Sequence, residues 1–460
     1  MSETPEDIID EGEEAYELTR RDVSAVLTAV ERGDRAELLA LIEPMHAADI
    51  ADMLEQVDEG DRRRIIELYG AEFDGDILSE LDESIRVDVI EALGPDVLAG
   101  AVRDLESDDV VDLLEDLEEP QQAAIFDALD DAGEMVARQA LSYPEESAGR
   151  LMQREVVVAP EHWTVGDAID FMRSSEDLPE QFYHMVLVDP RMHPVGNVAL
   201  GRIMGEARET KLATLVEDIF QVIPVDQDEG DVAYAFNQYH LISAPVVDAE
   251  GRLAGVITID DAMAVLDEEH EEDILRLAGV GEGSLTDRVI NTTKRRFPWL
   301  AVNLVTAVLA SLVIAQFDAV ITDYVALAVL MPIVASMGGN AGTLSLTVAV
   351  RAIATKDLTG SNVWRVIRRE VLVGAVNGAI FAVIMGAVCL VWFSSPTLGW
   401  VIAAAMVINL VVAGLAGTVI PVILEKLGID PALASGAFVT TVTDVVGFFA
   451  FLGLAAWVLI

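Results

Sequence analysis

One carboxylate stands alone in an apolar stretch near the C-terminal end of the sequence. Asp444 lies in the segment TTVTDVVGFF, and no Lys or Arg occurs between residues 427 and 460. A lone carboxylate at the centre of a bilayer costs about 2.5–3.5 kcal/mol on insertion scales. A bound cation would offset that cost, and Thr440, Thr441 and Thr443 add hydroxyl groups close by in sequence. We therefore predict a cation site at Asp444; the alternative is a carboxyl that is protonated or hydrogen-bonded to a neighbouring helix.

The residue types around Asp444 favour hydrated Mg²⁺ as the cation. A two-fold dimer would bring two copies of Asp444 to its axis, where together they would match a divalent charge. Mg²⁺ holds its water tightly and usually takes only one or two protein carboxylates. The chain has no DxDxDG loop typical of Ca²⁺ sites, and no His in a predicted span that would favour Zn²⁺. Co²⁺ and Mn²⁺ are the alternative ions.

A second uncharged stretch, MPIVASMGGNAGTLSLT at 331–347, contains residues that disfavour helices. Pro332 and the pair Gly338–Gly339 predict a helix that is broken at membrane depth, which is tolerated where the backbone lines water or packed protein. The alternative is that the glycines only allow close helix packing. The residues that we expect to line an ion path are small or polar: Gly338, Gly339, Asn340, Thr440 and Thr441.

Acidic residues dominate the part of the chain before residue 297. The whole sequence of 460 residues has a formal net charge of −50, and residues 297–460 hold only 7 of the 79 acids and 6 of the 29 bases. A surface of this sign excludes nucleic acid as a partner because it repels phosphates. With 4 lysines against 25 arginines, the acidity has two interpretations: a halophilic surface that stays solvated in strong salt, or divalent-cation sites.

Five apolar segments after residue 296 are long enough to span a membrane. They cover 297–317, about 325–350, a third from after Glu370 to the turn at 394–399, about 400–424, and 432 to the end. The basic residues near these segments fall on one side of the membrane if the N-terminal part is cytosolic and the C-terminus is outside. No apolar stretch at the N-terminus predicts a secretory signal, and the single Cys389 permits no disulfide within the chain. We expect a multi-pass protein of the plasma membrane.

The acidic part begins with a helical repeat. Apolar residues recur with a period of 3.6 over residues 20–135, and the aligned segments that start at 53, 77, 101 and 113 give offsets of 24, 24 and 12 residues. This pattern predicts an all-α solenoid of short helices joined by acidic turns; the alternative is a plain helical bundle.

Residues 145–270 contain a second repeat, in which strands alternate with helices. The segment 165–173 matches 229–237, and 185–200 matches 245–259. The order resembles a tandem pair of CBS domains, an α/β regulatory module. That resemblance implies an adenine nucleotide such as ATP as a ligand of Thr258 and Asp261, which complete the family's Gly-x-x-Thr-x-x-Asp pattern. The first copy has Ala199 and Arg202 at those positions; the alternative is a pair that only dimerises and transmits strain.

MPIVASMGGNAGT, and DPALASG followed by TDVVGFF, resemble the two membrane signatures of the MgtE family of magnesium channels and transporters. The order of parts is similar too: a helical domain at 1–140, CBS domains at 141–262, a connecting plug helix at 263–296 and a five-helix membrane domain at 297–460. Leu344 departs from the family pattern, which often has Gln there.

The resemblance implies a homodimeric pore for Mg²⁺ uptake, lined by spans two and five and closed by cytosolic Mg²⁺ bound between acidic domains. It places the pore carboxylate at Asp444. The implied sensor acids are Asp261, Glu269, Glu272, Asp273 and Asp430, with Asp108, Asp109 and Asp112 as weaker candidates. No motif of an enzyme is present, and the alternative from a different class is a membrane sensor without a pore.

Overall fold

The computed structural model describes residues 18–115, 117, 119–175, 178–179, 181–277, 289–358 and 360–459. The chain divides into two compact units, Met1–Glu268 and Glu269–Ile460, which are described separately. The fold class predicted from the sequence is confirmed: helices come first, then paired α/β modules, then long apolar helices. The middle of the predicted connecting helix, 278–288, lies outside the described residues.

The N-terminal part of the first unit is built from short helices whose acidic turns act as caps. The side chains of Asp34, Asp58 and Asp130 accept hydrogen bonds from backbone N–H groups in the first turn of the helix that follows each. A negative side chain at this position satisfies an unpaired donor and complements the helix dipole. The helices are α1 (Arg20–Arg32), α2 (Arg35–Ile42), α3 (Ala47–Gln56), α4 (Glu59–Tyr69), α5 (Asp76–Ser79), α6 (Glu83–Ala92), α7 (Pro95–Asp104), α8 (Ser107–Glu115), α9 (Glu119–Ala128) and α10 (Asp131–Ala140).

Two buried arginines, 24 residues apart, explain the period of the repeat. Arg62 donates to the carbonyl oxygen of Leu54 at 2.8 Å and lies 3.6 Å from Asp88. Arg86 donates to the carbonyl oxygen of Leu81 at 3.0 Å and lies 3.1 Å from a carboxylate oxygen of Asp112. Each guanidinium thus binds the turn before its own helix and an acid on a later helix, so that one repeat is joined to the next.

The rest of the first unit contains two three-stranded sheets with the same topology. In each, the first strand pairs parallel to the second and the second antiparallel to the third. The buried His184 Nδ1 and Ser243 Oγ begin equivalent strands of the two sheets and lie 2.7 Å apart. The elements are α11 (Ala148–Leu151), β1 (Val158–Pro160), α12 (Val165–Ser174), β2 (His184–Val188), β3 (Pro194–Ala199), α13 (Leu200–Gly205), β4 (Ile223–Pro224), α14 (Glu229–Tyr239), β5 (Ser243–Val247), β6 (Leu253–Thr258) and α15 (Ile259–Leu277).

Within its described residues the second unit has five helices that are long and apolar enough to cross a membrane. Two of the predicted bounds are wrong. The segment with Pro332 and the glycines forms one uninterrupted helix, because the backbone groups stay paired within it, and the third helix begins at Val363, before Glu370. The helices are α16 (Val289–Ala315), the short α17 (Asp318–Asp323), α18 (Ala326–Ala354), α19 (Val363–Phe393), α20 (Pro396–Lys426) and α21 (Pro431–Leu459).

Exposed tryptophans mark the two ends of α19. Trp364 and Trp392 are 80% and 65% exposed, and 28 residues of helix separate them by about 42 Å. That length matches a bilayer with its headgroup regions, where tryptophan side chains concentrate. The exposed Arg365, Arg368 and Arg369 lie at the Trp364 end, which is therefore the end that the positive-inside rule assigns to the cytosol.

Replacing Arg86 with Met should destabilise the helical repeat. The change removes hydrogen bonds to buried carbonyls and leaves Asp112 without its ion pair, so we expect the free energy of unfolding to fall by about 3 kcal/mol. Denaturant unfolding of the purified protein, followed by circular dichroism, measures this. The matched control is Arg63→Met, because Arg63 is exposed and pairs only along its own helix with Glu67; a change there should stay within about 0.5 kcal/mol. Equal effects of the two substitutions would contradict the role of Arg86.

Candidate functional site

Asp444 occupies the middle of α21, and its side chain is half-buried. Within the described residues its carboxylate has no ion pair and no hydrogen bond; burial is the one influence recorded on it. The neighbouring hydroxyls are turned to their own helix: Thr440 Oγ1 donates to Gly436 O at 2.9 Å and Thr441 Oγ1 to Ala437 O at 2.6 Å. The carboxylate charge is therefore left for a partner from outside this chain.

A polar stripe on α18 consists of Ser336, Asn340, Thr343 and Thr347, all of them exposed. Their spacing of four, three and four residues places them on one face of the helix. In a membrane such a face must meet water or another protein surface, because lipid offers no hydrogen bonds. The stripe includes the predicted Asn340, whereas sequence reasoning missed its three hydroxyl residues.

The glycines of α18 fall into two kinds. A Cβ added to Gly338 would collide with the side chain of Asn409 on α20, and one added to Gly342 would lie 2.6 Å from Val439 Cγ1 on α21. These two glycines allow α18 to pack closely against its neighbours. A Cβ added to Gly339 would meet nothing within 4 Å. Gly339 therefore has no packing role within the described chain and lies on the open side, next to Asn340.

In the first unit, α8 and the start of α15 bring four carboxylates together: Glu106, Asp108, Asp109 and Asp261. Burial, and then the charge of Asp261, raises the pKa of Asp109 to about 7. The same causes raise the pKa of Asp108, and burial raises that of Asp261. Asp108 Oδ2 is buried and has no hydrogen-bond partner among the described residues. This acidic cluster fits a divalent cation, since an ion bridging the carboxylates would relieve their repulsion.

Thr258 and Asp261 do contact each other. Thr258 Oγ1 donates to Asp261 Oδ2 at 2.6 Å, so that the carboxylate is held at the N-terminal end of α15 beside Asp108. The two predicted roles of Asp261, in nucleotide binding and in the sensor, therefore compete for the same group. Asp112 lies apart in function, because it pairs with Arg86. In the first CBS copy Arg202 donates to Leu215 O at 3.1 Å.

A second acidic group was missed by the sequence analysis. Burial, and then the charges of Glu268, Glu146 and Glu115, raises the pKa of Glu229 to about 7. Glu115 is held by Arg150 at 2.9 Å, whereas Glu229 is influenced most by other acids. The signal in the sequence is weak, because these residues come from four separate segments.

In the second unit, Arg276 lies between two of the predicted sensor acids. Its Nη2 is 2.6 Å from Glu272 Oε2, and its Nε is 3.5 Å from Asp430 Oδ2. All three side chains are about 26–33% exposed, so the guanidinium is within reach of solvent ions. Glu269 lies on the same helix, α15; Asp273 does too, and its side chain lies outside the described residues. No group of three or more His, Cys, Asp or Glu side chains arranged to hold a metal occurs in the described part of the chain.

Comparison with protein families identifies every part of the chain that carries these groups. Residues 331–454 match MgtE, described as a divalent cation transporter. Residues 45–146 match the MgtE intracellular N domain. Residues 148–209 and 216–268 each match the CBS domain.

Individual relatives agree with the family matches. The chain is 34% identical to the magnesium transporter MgtE of Enterococcus faecalis over 327 residues, 71% of this chain and 72% of that protein. It is 32% identical to the magnesium transporter MgtE of Thermus thermophilus over 317 residues, 68% of this chain and 70% of that protein. A crystal structure of the cytosolic domain of the Mg²⁺ channel MgtE in complex with ATP is 26% identical, covering 53% of this chain and 99% of that chain with a TM-score of 0.49.

The acidic cluster predicts a pH-dependent stability of the first unit. The folded pKa of Asp109 is about 7, well above the value near 3.9 of an unfolded Asp. The folded state therefore holds an extra proton between these values, and stability falls as pH rises through this window. In EDTA, the melting temperature should be several degrees lower at pH 8 than at pH 5.5, and Mg²⁺ should restore more of it at pH 8.

Asp109→Asn should flatten this dependence, because the amide does not titrate. The control is Glu43→Gln, which removes an exposed carboxylate on the same unit and should leave the pH dependence unchanged. Differential scanning fluorimetry at constant ionic strength checks both variants. A melting temperature that rises with pH in EDTA would show that the cluster is stabilised by ionisation and is not a cation site.

Proposed function

The chain belongs to the MgtE family of divalent cation transporters, and on that premise we propose that it is a Mg²⁺ channel for uptake, gated by cytosolic Mg²⁺. It is a multi-pass membrane transporter rather than an enzyme. The observation that carries the proposal is the carboxylate of Asp444, which lies in an apolar helix without a partner from the described residues.

Mg²⁺ passes Asp444 as a hydrated ion. One carboxylate cannot neutralise a divalent ion, so a homodimer supplies two, one from each chain, across its symmetry axis. Contacts through the water shell suit an ion that dehydrates reluctantly. The polar stripe of α18 offers hydroxyl and amide groups to that shell, and Gly339 leaves the backbone beside Asn340 accessible.

Cytosolic Mg²⁺ closes the pore by binding the acidic cluster of the first unit. Asp108, Asp109 and Asp261 repel one another when ionised, and their raised pKa values express that repulsion. A divalent ion bound more tightly by the compact arrangement shifts the population toward it. Glu269, Glu272 and Asp430 form a further sensing group at the end of α15, in which Arg276 holds two of the acids.

The direction of transport follows from the orientation that the basic residues favour. The N-terminal units lie in the cytosol and the C-terminus outside, in the plasma membrane. A negative cytosol draws a divalent cation inward with about 4.6 kcal/mol at 100 mV. An adenine nucleotide at Thr258 would meet the carboxylate of Asp261, so Mg²⁺ and nucleotide binding in this region are linked.

Replacing Asp444 with Ala should abolish Mg²⁺ influx into liposomes that contain the purified protein. Loss of the carboxylate removes the charge that stabilises the ion in the apolar span, and we expect a fall of about 100-fold, the factor for a loss of about 2.7 kcal/mol. Asp444→Asn should fail as well, because it keeps an oxygen but no charge. Asp323→Asn, on the exposed α17, is the matched control and should conduct normally.

Influx that is unchanged in Asp444→Ala would rule out the pore assignment. Protein that passes no divalent ion under any condition would favour a sensor without a pore. Equal competition by Co²⁺ or Mn²⁺ would favour a less selective carrier.

Replacing Arg276 with Gln should make the gate close at lower cytosolic Mg²⁺. The guanidinium competes with Mg²⁺ for Glu272 and Asp430, and a partly exposed ion pair contributes about 0.2–1 kcal/mol, which corresponds to a shift of up to about fivefold. Patch-clamp recording of the channel against internal Mg²⁺ measures the midpoint. Arg296→Gln, an exposed residue of the same unit, is the control. A gate that stays open at high Mg²⁺ would mean that Arg276 itself holds the closed state.

A further inference from the structure

A buried amide links the two helices that carry the proposed ion path. Asn409 lies in the middle of α20 and is 1% exposed. Its Nδ2 donates to the carbonyl oxygen of Val334 on α18 at 2.8 Å. Interhelical hydrogen bonds of this kind hold helices together in lipid, where no water competes for the donor.

Glycines on both neighbouring helices make room for this amide. A Cβ on Gly338 of α18 would collide with Asn409 Nδ2, and a Cβ on Gly447 of α21 would lie 2.8 Å from the same atom. Asn409 therefore fills a slot that only the absence of two side chains leaves open. Its contacts fix α18 and α21 against one another as well as against α20.

The two glycines lie directly next to the groups proposed to meet the ion. Gly338 precedes Gly339 and Asn340 in α18, and Gly447 follows Asp444 by three residues, less than one turn of α21. A displacement of the amide would therefore change the distance between the polar stripe of α18 and the carboxylate of Asp444.

The polarity of Asn409 is not explained by packing alone. Its Oδ1 is buried and has no hydrogen-bond partner among the described residues. An apolar side chain such as Leu would fill a slot of similar size without leaving an acceptor unpaired. The feature of Asn that the structure uses is the donor to Val334 O.

From this geometry we infer that Asn409 is a positioning residue that sets the ion selectivity of the pore. It holds the Asn340 face of α18 and the Asp444 segment of α21 at the separation that fits hydrated Mg²⁺. This inference rests on the proposed function, because it assumes that Asp444 contacts the ion. It assigns selectivity to a residue that touches no ion, since a site must be held to within about 0.5 Å to discriminate.

Asn409→Leu should keep the pore but lose its discrimination. The ratio of Mg²⁺ to Ca²⁺ influx into liposomes should fall about tenfold, the factor for a change of about 1.4 kcal/mol between the two barriers. The matched control is Thr418→Val on the same helix. Thr418 is fully buried, and its hydroxyl donates to Gly414 O of its own helix at 2.8 Å. That variant should keep the parent ratio.

A second variant keeps the test informative if Asn409→Leu does not fold. Gly338→Ala displaces the amide from the α18 side and should lower the same ratio. In an Asn409→Ala background, Gly338→Ala should have no further effect, because the methyl group then enters the space of the lost amide. Effects on the ratio that add in the double variant would overturn the inference, as would a parent ratio in folded Asn409→Leu.

Failure of this inference and failure of the proposed function give different results. If Asp444→Ala abolishes influx while both Asn409→Leu and Gly338→Ala keep the parent ratio, the pore stands and the role of Asn409 is refuted. If Asp444→Ala conducts normally, the proposed function fails, and the ion path assumed for Asn409 fails with it.

Discussion

A carboxylate inside an apolar helix is the constraint on which the membrane unit depends. Asp444 has no counter-charge from the described residues, and a membrane span tolerates such a group only where water, a partner or a cation reaches it. The rest of the unit is consistent with that requirement. Gly342 allows α18 to approach Val439 on α21, and the polar stripe of α18 is left exposed instead of being packed within the chain.

The first unit uses the opposite arrangement of the same chemistry. Its arginines are buried with carbonyls and acids, as Arg86 is with Leu81 and Asp112, and these contacts hold the repeat together. The acidic cluster receives no comparable partner, because the charges that act most strongly on Asp108 and Asp109 are other carboxylates. A chain with 25 arginines thus leaves this one cluster to be neutralised by protons or by a divalent ion.

The sequence alone predicted the order of the parts, because each has its own period: 24 residues in the helical repeat, a duplicated strand pattern, and long apolar runs. It also predicted Asp444, since a charge in an apolar run stands out without any knowledge of packing. It did not predict the continuity of α18. Proline and glycine lower helix propensity in water, but in an apolar environment unpaired backbone groups are costly enough that the helix persists through Pro332.

Residues that act through contacts between distant segments were beyond the reach of sequence patterns. Asn409 reads as an isolated polar residue in α20, and only the fold brings it to Val334, Gly338 and Gly447. The same holds for Arg276, whose acids lie four residues before it and more than 150 residues after it. In both cases one polar group links segments that carry carboxylates, so the spacing of those carboxylates depends on residues that bind no ion. A carboxylate pattern in a sequence can therefore indicate which ion is bound, while the selectivity and the threshold depend on the positions that the fold gives to its neighbours.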